Sequence, residues 1–294
     1  MEQDTNQERA AGAKGETISD LMTTVDAHQH YWQLQNFTYA WHQQVNRPEM
    51  HRDYLPTDIL PQMQAAGIAY SVLIEADSSV AETTWMLELA QRFPHIAGVV
   101  GWVDLSAPDV EDTLDRLARE PLFKGIRLIT DEWQPLRHGL RALAERNLTC
   151  DVLPREGMLP GVLEMMRAHP ETRFVVNHLA GQALIPGGVV PWTEQLRPLA
   201  ELPNVWMKFS AIQGLAEPPP ISAEALQPYL DSACSLFGVQ RLLFASDWPV
   251  STLHGPYAAC IEVMRAATAS LSRDEQVWIW GQSAIKTYGL TLRL

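Results

Sequence analysis

"TTVDAHQHYW", residues 23–32, is a short β-branched and apolar run that closes on two histidines one residue apart and two aromatics. As an extended strand it sends His28 and His30 to one side and Gln29 to the other, because successive strand side chains alternate in direction. Two readings are open for the pair: ligands that grip one ion from the same direction, or polar residues where a strand meets solvent. The run also bears on the fold, since a doubly wound dinucleotide domain would carry G-x-G-x-x-G after its first strand, and this strand ends in "HQHYW".

Seven further runs of strand character follow, at 70–76, 96–105, 123–129, 148–153, 173–179, 204–210 and 241–246. Between them lie segments of helical period, among them 78–93, 108–120, 155–169, 222–237 and 256–271, most of which start just after Ser, Asp or Pro. Eight apolar runs, each followed by a helix, predict a parallel sheet buried on both faces and closed into a single (β/α)8 TIM barrel. The barrel domain is expected over 23–294, behind a polar, loosely ordered tail at 1–22. An open doubly wound sheet is the main rival.

The 294-residue chain carries 35 acidic and 22 basic side chains, a formal net charge of −13. That field repels phosphate backbones and anionic membranes, so neither nucleic acid nor a membrane is an expected partner. No apolar run reaches the length of a membrane span, and three widely spaced cysteines, Cys150, Cys234 and Cys260, suit a reducing compartment. The expectation is a cytoplasmic enzyme acting on a small molecule, with a homo-oligomeric state left open.

In a barrel the C-terminal strand ends converge on one mouth. Those ends carry His28 and His30, Glu75, Trp102 and Asp104, Arg127, Asp151, His178, Lys208 and Ser210, and the "SDW" of 246–248. Singly, His178 reads as a satisfied core histidine and Asp247 as a carboxylate capping the next turn. Together with His28 and His30 they form an N/O ligand set for one divalent ion, with zinc first among Zn²⁺, Mn²⁺, Fe²⁺ and Ni²⁺. Arg127 and Lys208 either pair with acids such as Glu75 or face an anionic or polyhydroxylated substrate. Trp32, Trp102 and Trp248 offer flat faces to a sugar ring or pack against the barrel. The loop histidines His42, His51 and His254 rank second.

The stretches "VDAHQHYW", "GVVGWVDL", "FKGIRLI", "FVVNHLA", "NVWMKFSAI", "FGVQRLLFASDWPV" and "SAIKTYGL" resemble, in the same order, those of the amidohydrolase-related (amidohydrolase 2) family of barrel hydrolases. The nearer likeness is to its sugar-lactonase branch, of the L-fuconolactonase and L-rhamnonolactonase type. The resemblance implies a hydrolase that opens a sugar-acid 1,4-lactone. Asp247 falls where the general base is expected, and His28, His30 and His178 where metal-binding or carbonyl-polarising groups are expected. Arg127 and Lys208 fall at substrate contacts. Binuclear relatives bridge their ions with a modified lysine at the end of strand four; Arg127 stands near there, so at most one ion is expected.

Several positions depart from the family pattern: Leu128 replaces a histidine, Ile74-Glu75 a "VQ", Asn177 an aspartate, and Gly181-Gln182 a "KP". The departures suggest an altered substrate or a lost metal. Other readings therefore accompany the lactonase: a metal-independent lactonase, such as one acting on a pyrone dicarboxylate, or a lactone isomerase; a metal-dependent decarboxylase; and a barrel that binds a sugar acid without turnover.

Overall fold

The computed structural model describes residues 23–39, 41 and 47–293; the tail at 1–22 and His42 lie outside the described residues. Its strands are β1 (Val25–Gln29), β2 (Tyr70–Ile74), β3 (Ile96–Gly101), β4 (Phe123–Leu128), β5 (Thr149–Val152), β6 (Arg173–Val176), β7 (Val205–Phe209) and β8 (Leu242–Phe244). They form one parallel sheet in sequential order from β1 to β8. The helices that return the chain are α1 (Pro56–Ala65), α2 (Val80–Arg92), α3 (Val110–Ala118), α4 (Arg137–Glu145), α5 (Leu159–Ala168) and α6 (Val189–Ala200). A short α7 (Ile212–Leu215) and a long α8 (Ala223–Phe237) follow β7, and α9 (Tyr257–Thr268), α10 (Arg273–Val277) and α11 (Ser283–Tyr288) follow β8. This is a single (β/α)8 barrel.

Local chemistry fixes several helix starts. Ser79 and Ser222 accept from the backbone N–H groups of Glu82 and Ala225, and Ser272 and Glu275 form a reciprocal capping box. α5 begins four residues later than its periodicity predicts, because Arg155–Met158 stays in the loop above β5.

Most strands stop short of the apolar runs that predict them. β2 ends at Ile74, one residue before Glu75, and β6 ends at Val176, two before His178. There the chain leaves the ladder and its polar side chains collect at the mouth.

The interior divides by strand parity. Val25, Ala27, Val72, Ile74, Val175, Leu243 and Ala245 fill the barrel lumen together with Tyr288 and Leu290 from the C-terminal end. Phe174, Val205, Met207 and Phe244 face outward into the larger apolar layer between sheet and helices. Continuing the inward phase of Val25 and Ala27 would bring Gln29 to the lumen and send His28 and His30 outward. The register of β1 against β2 instead slips between Asp26 and Gln29, an irregularity that re-aims the side chains beyond it.

β1 and β8 close the barrel at the mouth. His30 N donates to Trp248 O (2.7 Å) and Asp247 N to His28 O (3.0 Å). Just below, the Asp26 carboxylate accepts from Ser246 N (2.8 Å) and Ser246 Oγ (2.6 Å). The same seam thus brings His28, His30 and Asp247 side by side. Among the described residues no helix is long and apolar enough to cross a membrane.

Candidate active site

His178 and Asp247 complete the group through unusual backbone. His178 has φ 52° and Asp247 φ 65°, in the left-handed region that costs a non-glycine residue of order 1 kcal/mol or more. Leu179 and Ala180 continue the left-handed turn after His178. Surrounding contacts hold this geometry: His178 N donates to Ser210 Oγ (3.2 Å), and Ser251 N donates to Asp247 O (2.9 Å).

Four side chains then converge. The Nε2 atoms of His28, His30 and His178 stand 3.6, 3.6 and 3.7 Å from Asp247 Oδ1, and His28 Nε2 is 3.0 Å from His30 Nε2. Distances of 3.6–3.7 Å are too long for direct hydrogen bonds. The three distances to Asp247 lie near the roughly 3.3–3.6 Å that separates tetrahedral ligands held about 2.0–2.2 Å from one ion, while the 3.0 Å between His28 and His30 is shorter. Ligand atoms of His28, His178 and Asp247 all lie within 4.8 Å of one another.

The outer partners of the three rings bear on which nitrogen carries the proton. Burial drives His28 far below the usual imidazole value, His30 to about 3 and His178 to about 4, so all three are neutral near pH 7. His30 Nδ1 lies 2.9 Å from Ile74 O, which can only accept, so the ring proton sits on Nδ1 and Nε2 carries a lone pair. His178 Nδ1 is 2.8 Å from Ser210 Oγ, a hydroxyl that pairs with either ring tautomer.

His28 Nδ1 is 3.1 Å from Lys208 Nζ. As the ammonium partner of Asp151, Lys208 donates to His28 Nδ1, which puts the His28 ring proton on Nε2, 3.0 Å from His30 Nε2; binding an ion there would displace that proton. The donor set fits a divalent ion of zinc type, with the outer ring nitrogens held by a carbonyl, a hydroxyl and an ammonium. Burial also raises the Asp247 carboxyl above the usual range, ahead of the opposing pull of His178 and Arg127, which makes it a stronger base.

Above this floor opens a cavity of ≈ 530 Å³. His30, His178 and Asp247 form its base, with Glu75 and Arg127 to one side. Arg127 Nε donates to Glu75 Oε1 at 2.6 Å, so the arginine is paired through that nitrogen. Its terminal nitrogens make no hydrogen bond among the described residues, so the fork still offers donors to the cavity.

Other expected contacts change place. Lys208 is fully buried beneath His28 and bonded to Asp151 Oδ2 (2.6 Å), so it does not face a substrate. Trp32 and Trp248 are 0% and 1% exposed; they pack edge-to-face on Tyr54 and present no free ring face. Trp102 is half-buried outside the cavity, where its backbone pairs with Thr83 Oγ1. Asp104 is exposed and caps Ser106. His254 packs over Gly214, and neither it nor His51 lines the cavity.

Sequence reasoning missed other participants. Trp41, whose indole N–H donates to Ala76 O (2.9 Å), supplies the aromatic wall, and Arg155 and Asp77 join the rim. Asp26, which accepts from His28 N, Gln29 Nε2, both donors of Ser246 and Tyr257 OH, ties the β1–β8 seam from behind. Asp26 was legible as a charge inside an apolar strand, a position that demands partners. Trp41 carries no such signal, because its place depends on a long loop.

A family model described as Amidohydrolase matches residues 25–290. The chain is 34% identical over 241 residues to an L-fucono-1,5-lactonase of Burkholderia ambifaria, covering 79% of this chain and 82% of that protein. It is 31% identical over 290 residues to an L-fucono-1,5-lactonase of Burkholderia multivorans, covering 90% and 96%. A crystal structure of an amidohydrolase from Burkholderia multivorans with bound zinc superposes with a TM-score of 0.83 at 30% identity, over 91% of this chain and 99% of that one. With the barrel, the four converging side chains and this match, the chain belongs to the amidohydrolase family.

Proposed function

We propose that this protein is a hydrolase that opens a sugar-acid lactone, with Asp247 as the general base. The observation that carries the reading is the convergence of three neutral imidazole nitrogens on the Asp247 carboxylate at the floor of a cavity. The two relatives named as L-fucono-1,5-lactonases support a 1,5-lactone as the first substrate, in place of the 1,4-lactone that the sequence resemblance implies.

His28, His178 and Asp247, with His30 beside them 3.6 Å from Asp247 Oδ1, would hold one divalent ion, for which the zinc-bound relative supports zinc. The chemistry such an ion supplies is polarisation of a carbonyl and easier ionisation of water. The chain's own residues do the rest. Asp247, its basicity raised by burial, takes a proton from the water that adds to the lactone carbonyl. The ring C–O bond then breaks, and the leaving ring oxygen recovers that proton as the hydroxy acid is formed. Arg127, braced by Glu75, donates to ring or hydroxyl oxygens, and Glu75 accepts from a hydroxyl. Trp41 covers one side of the site and limits the water that reaches it.

With its Nε2 lone pair facing inward, His30 does not itself donate to a carbonyl oxygen, which favours the metal-assisted form over a metal-free lactonase or isomerase. A cytoplasmic location is supported by three free cysteines.

The test pairs elemental analysis of unchelated protein with acid release from a panel of 1,5- and 1,4-aldonolactones, with and without chelator. The expected result is about one ion per chain and chelator-sensitive hydrolysis, fastest on a 1,5-lactone. Acid release no faster than spontaneous opening on every lactone would overturn the assignment, and carbon dioxide evolved from an aromatic acid would replace it with a decarboxylase.

A further inference from the structure

Beneath the candidate site, the lumen holds a line of polar groups where apolar side chains would suffice. Tyr288, on α11, points its hydroxyl into the lumen and donates to Asp151 Oδ2 (2.9 Å) and Oδ1 (3.1 Å). Asp151 Oδ2 accepts from Lys208 Nζ at 2.6 Å, and Lys208 Nζ lies 3.1 Å from His28 Nδ1. His28 Nε2 then stands among His30 and Asp247. Asp151, Lys208 and His28 are each 0% exposed, and Tyr288 is 3% exposed.

A buried ion pair in such a place is a poor source of stability. Removing two charges from water costs several kcal/mol each, and well-packed apolar residues of similar volume often serve as well or better. The rest of the lumen is filled in that apolar way, by Val25, Ala27, Val72, Ile74, Val175 and Leu243. The polar line also has direction. It starts on a helix that contributes nothing to the cavity, crosses β5 and β7, and ends on the one histidine of the four-residue group that does not line the cavity wall. His28 has Lys208 as the partner of its outer ring nitrogen, where His30 has a backbone carbonyl and His178 a serine.

We propose that Tyr288 is a positioning residue for the active site, acting through Asp151 and Lys208 to set the orientation and outer hydrogen bond of His28. Tyr288 offers one donor, and Asp151 needs it. Without the phenol hydroxyl, Asp151 Oδ1 loses its partner in a lumen that offers no replacement, the carboxylate re-centres on Lys208, and Lys208 draws away from His28. The imidazole then loses its fixed outer partner. The consequence for turnover rests on the lactonase reading; the consequence for the His28 ring does not.

Tyr288→Phe is the test, since it removes one oxygen and keeps the ring that fills the lumen. Three measurements on the full chain separate the outcomes: lactone kinetics, thermal melting, and imidazole ¹⁵N resonances by NMR. The expected result is a fall in kcat of tenfold or more with KM changed less than twofold, and a shift of the His28 nitrogen resonances while those of His95 stay in place. In an Asp151→Asn background the same change should cost less than threefold, because the link is already altered.

Unmoved His28 resonances would overturn the proposal even if the protein showed no activity on any lactone. So would a kcat loss that adds in full to that of Asp151→Asn. If Tyr288→Phe fails to fold, Lys208→Gln read by the same His28 resonances takes its place, and unmoved resonances there overturn the proposal too.

Discussion

Two polar groups share the barrel mouth and are built in opposite ways. Arg127 and Glu75 form a closed pair at 2.6 Å, each satisfying the other at the cavity side. His28, His30, His178 and Asp247 are open. Their outer atoms are tied to Lys208, Ile74, Ser210 and the neighbouring backbone, while the three Nε2 atoms stand 3.6–3.7 Å from Asp247 Oδ1 with no hydrogen bond to it. Buried polar atoms are normally paired, so this cluster suits the ion or reacting water of the proposed reaction. The closed pair instead leaves over a guanidinium fork, which suits binding. On the proposed reading, the first group carries recognition and the second the chemistry.

The largest effect should come from the open group. Asp247→Asn keeps the shape of the side chain and removes its basicity, so kcat should fall by about 10²–10⁴-fold, the usual range for a positioned acid or base. Steady-state kinetics and a melting curve check this together. Near wild-type turnover with an unchanged melt would take Asp247 out of the base role and erase the distinction between the two groups.

A middle-sized effect is expected from the closed pair. Glu75→Gln replaces a charged hydrogen bond, worth roughly 1.5–3 kcal/mol, with a neutral one and frees Arg127 to swing. KM should rise about tenfold, the equivalent of about 1.4 kcal/mol, with kcat affected less. A kcat loss at constant KM would move the pair from recognition into the chemistry.

The smallest effect is on stability against pH, and it sharpens the account of the open group. The folded values of His30 and His178, about 3 and about 4, lie below the unfolded value of 6.5. Between them the unfolded chain binds protons that the folded site refuses. Their contribution is therefore fully present above about pH 6.5 and is lost as pH falls through the folded values. Melting temperatures of metal-free protein should decline from pH 7 to 4, and less steeply in His178→Gln. An equal slope in the two proteins would mean that His178 is not held neutral.

Much of this was legible in the sequence. Alternating apolar runs and helical periods carry the barrel, because a strand covered on both faces must be apolar throughout. His28, His30, His178 and Asp247 could be named because polar side chains at strand ends serve no packing purpose. The sequence also offered Glu75 as one acid for Arg127. Lys208 was misread as a substrate contact: its strand-end position is visible in the chain, but its downward reach to Asp151 is not. Trp32 and Trp248 carried the right chemistry for a sugar face, yet Tyr54 covers them.

What the sequence by itself determined is the repeating period that closes eight strands into a barrel, together with the residue types gathered at its mouth. Both follow from short-range rules of strand alternation and helix capping. Only the tertiary structure decided which way those residues point. The irregularity between Asp26 and Gln29 turns His28 and His30 inward, the left-handed backbone at His178 and Asp247 aims both at the same centre, and Tyr288 comes up from the far end of the chain to meet Asp151. Each of these is a local departure from regular geometry held by contacts between residues distant in sequence, and no periodicity in the chain records it.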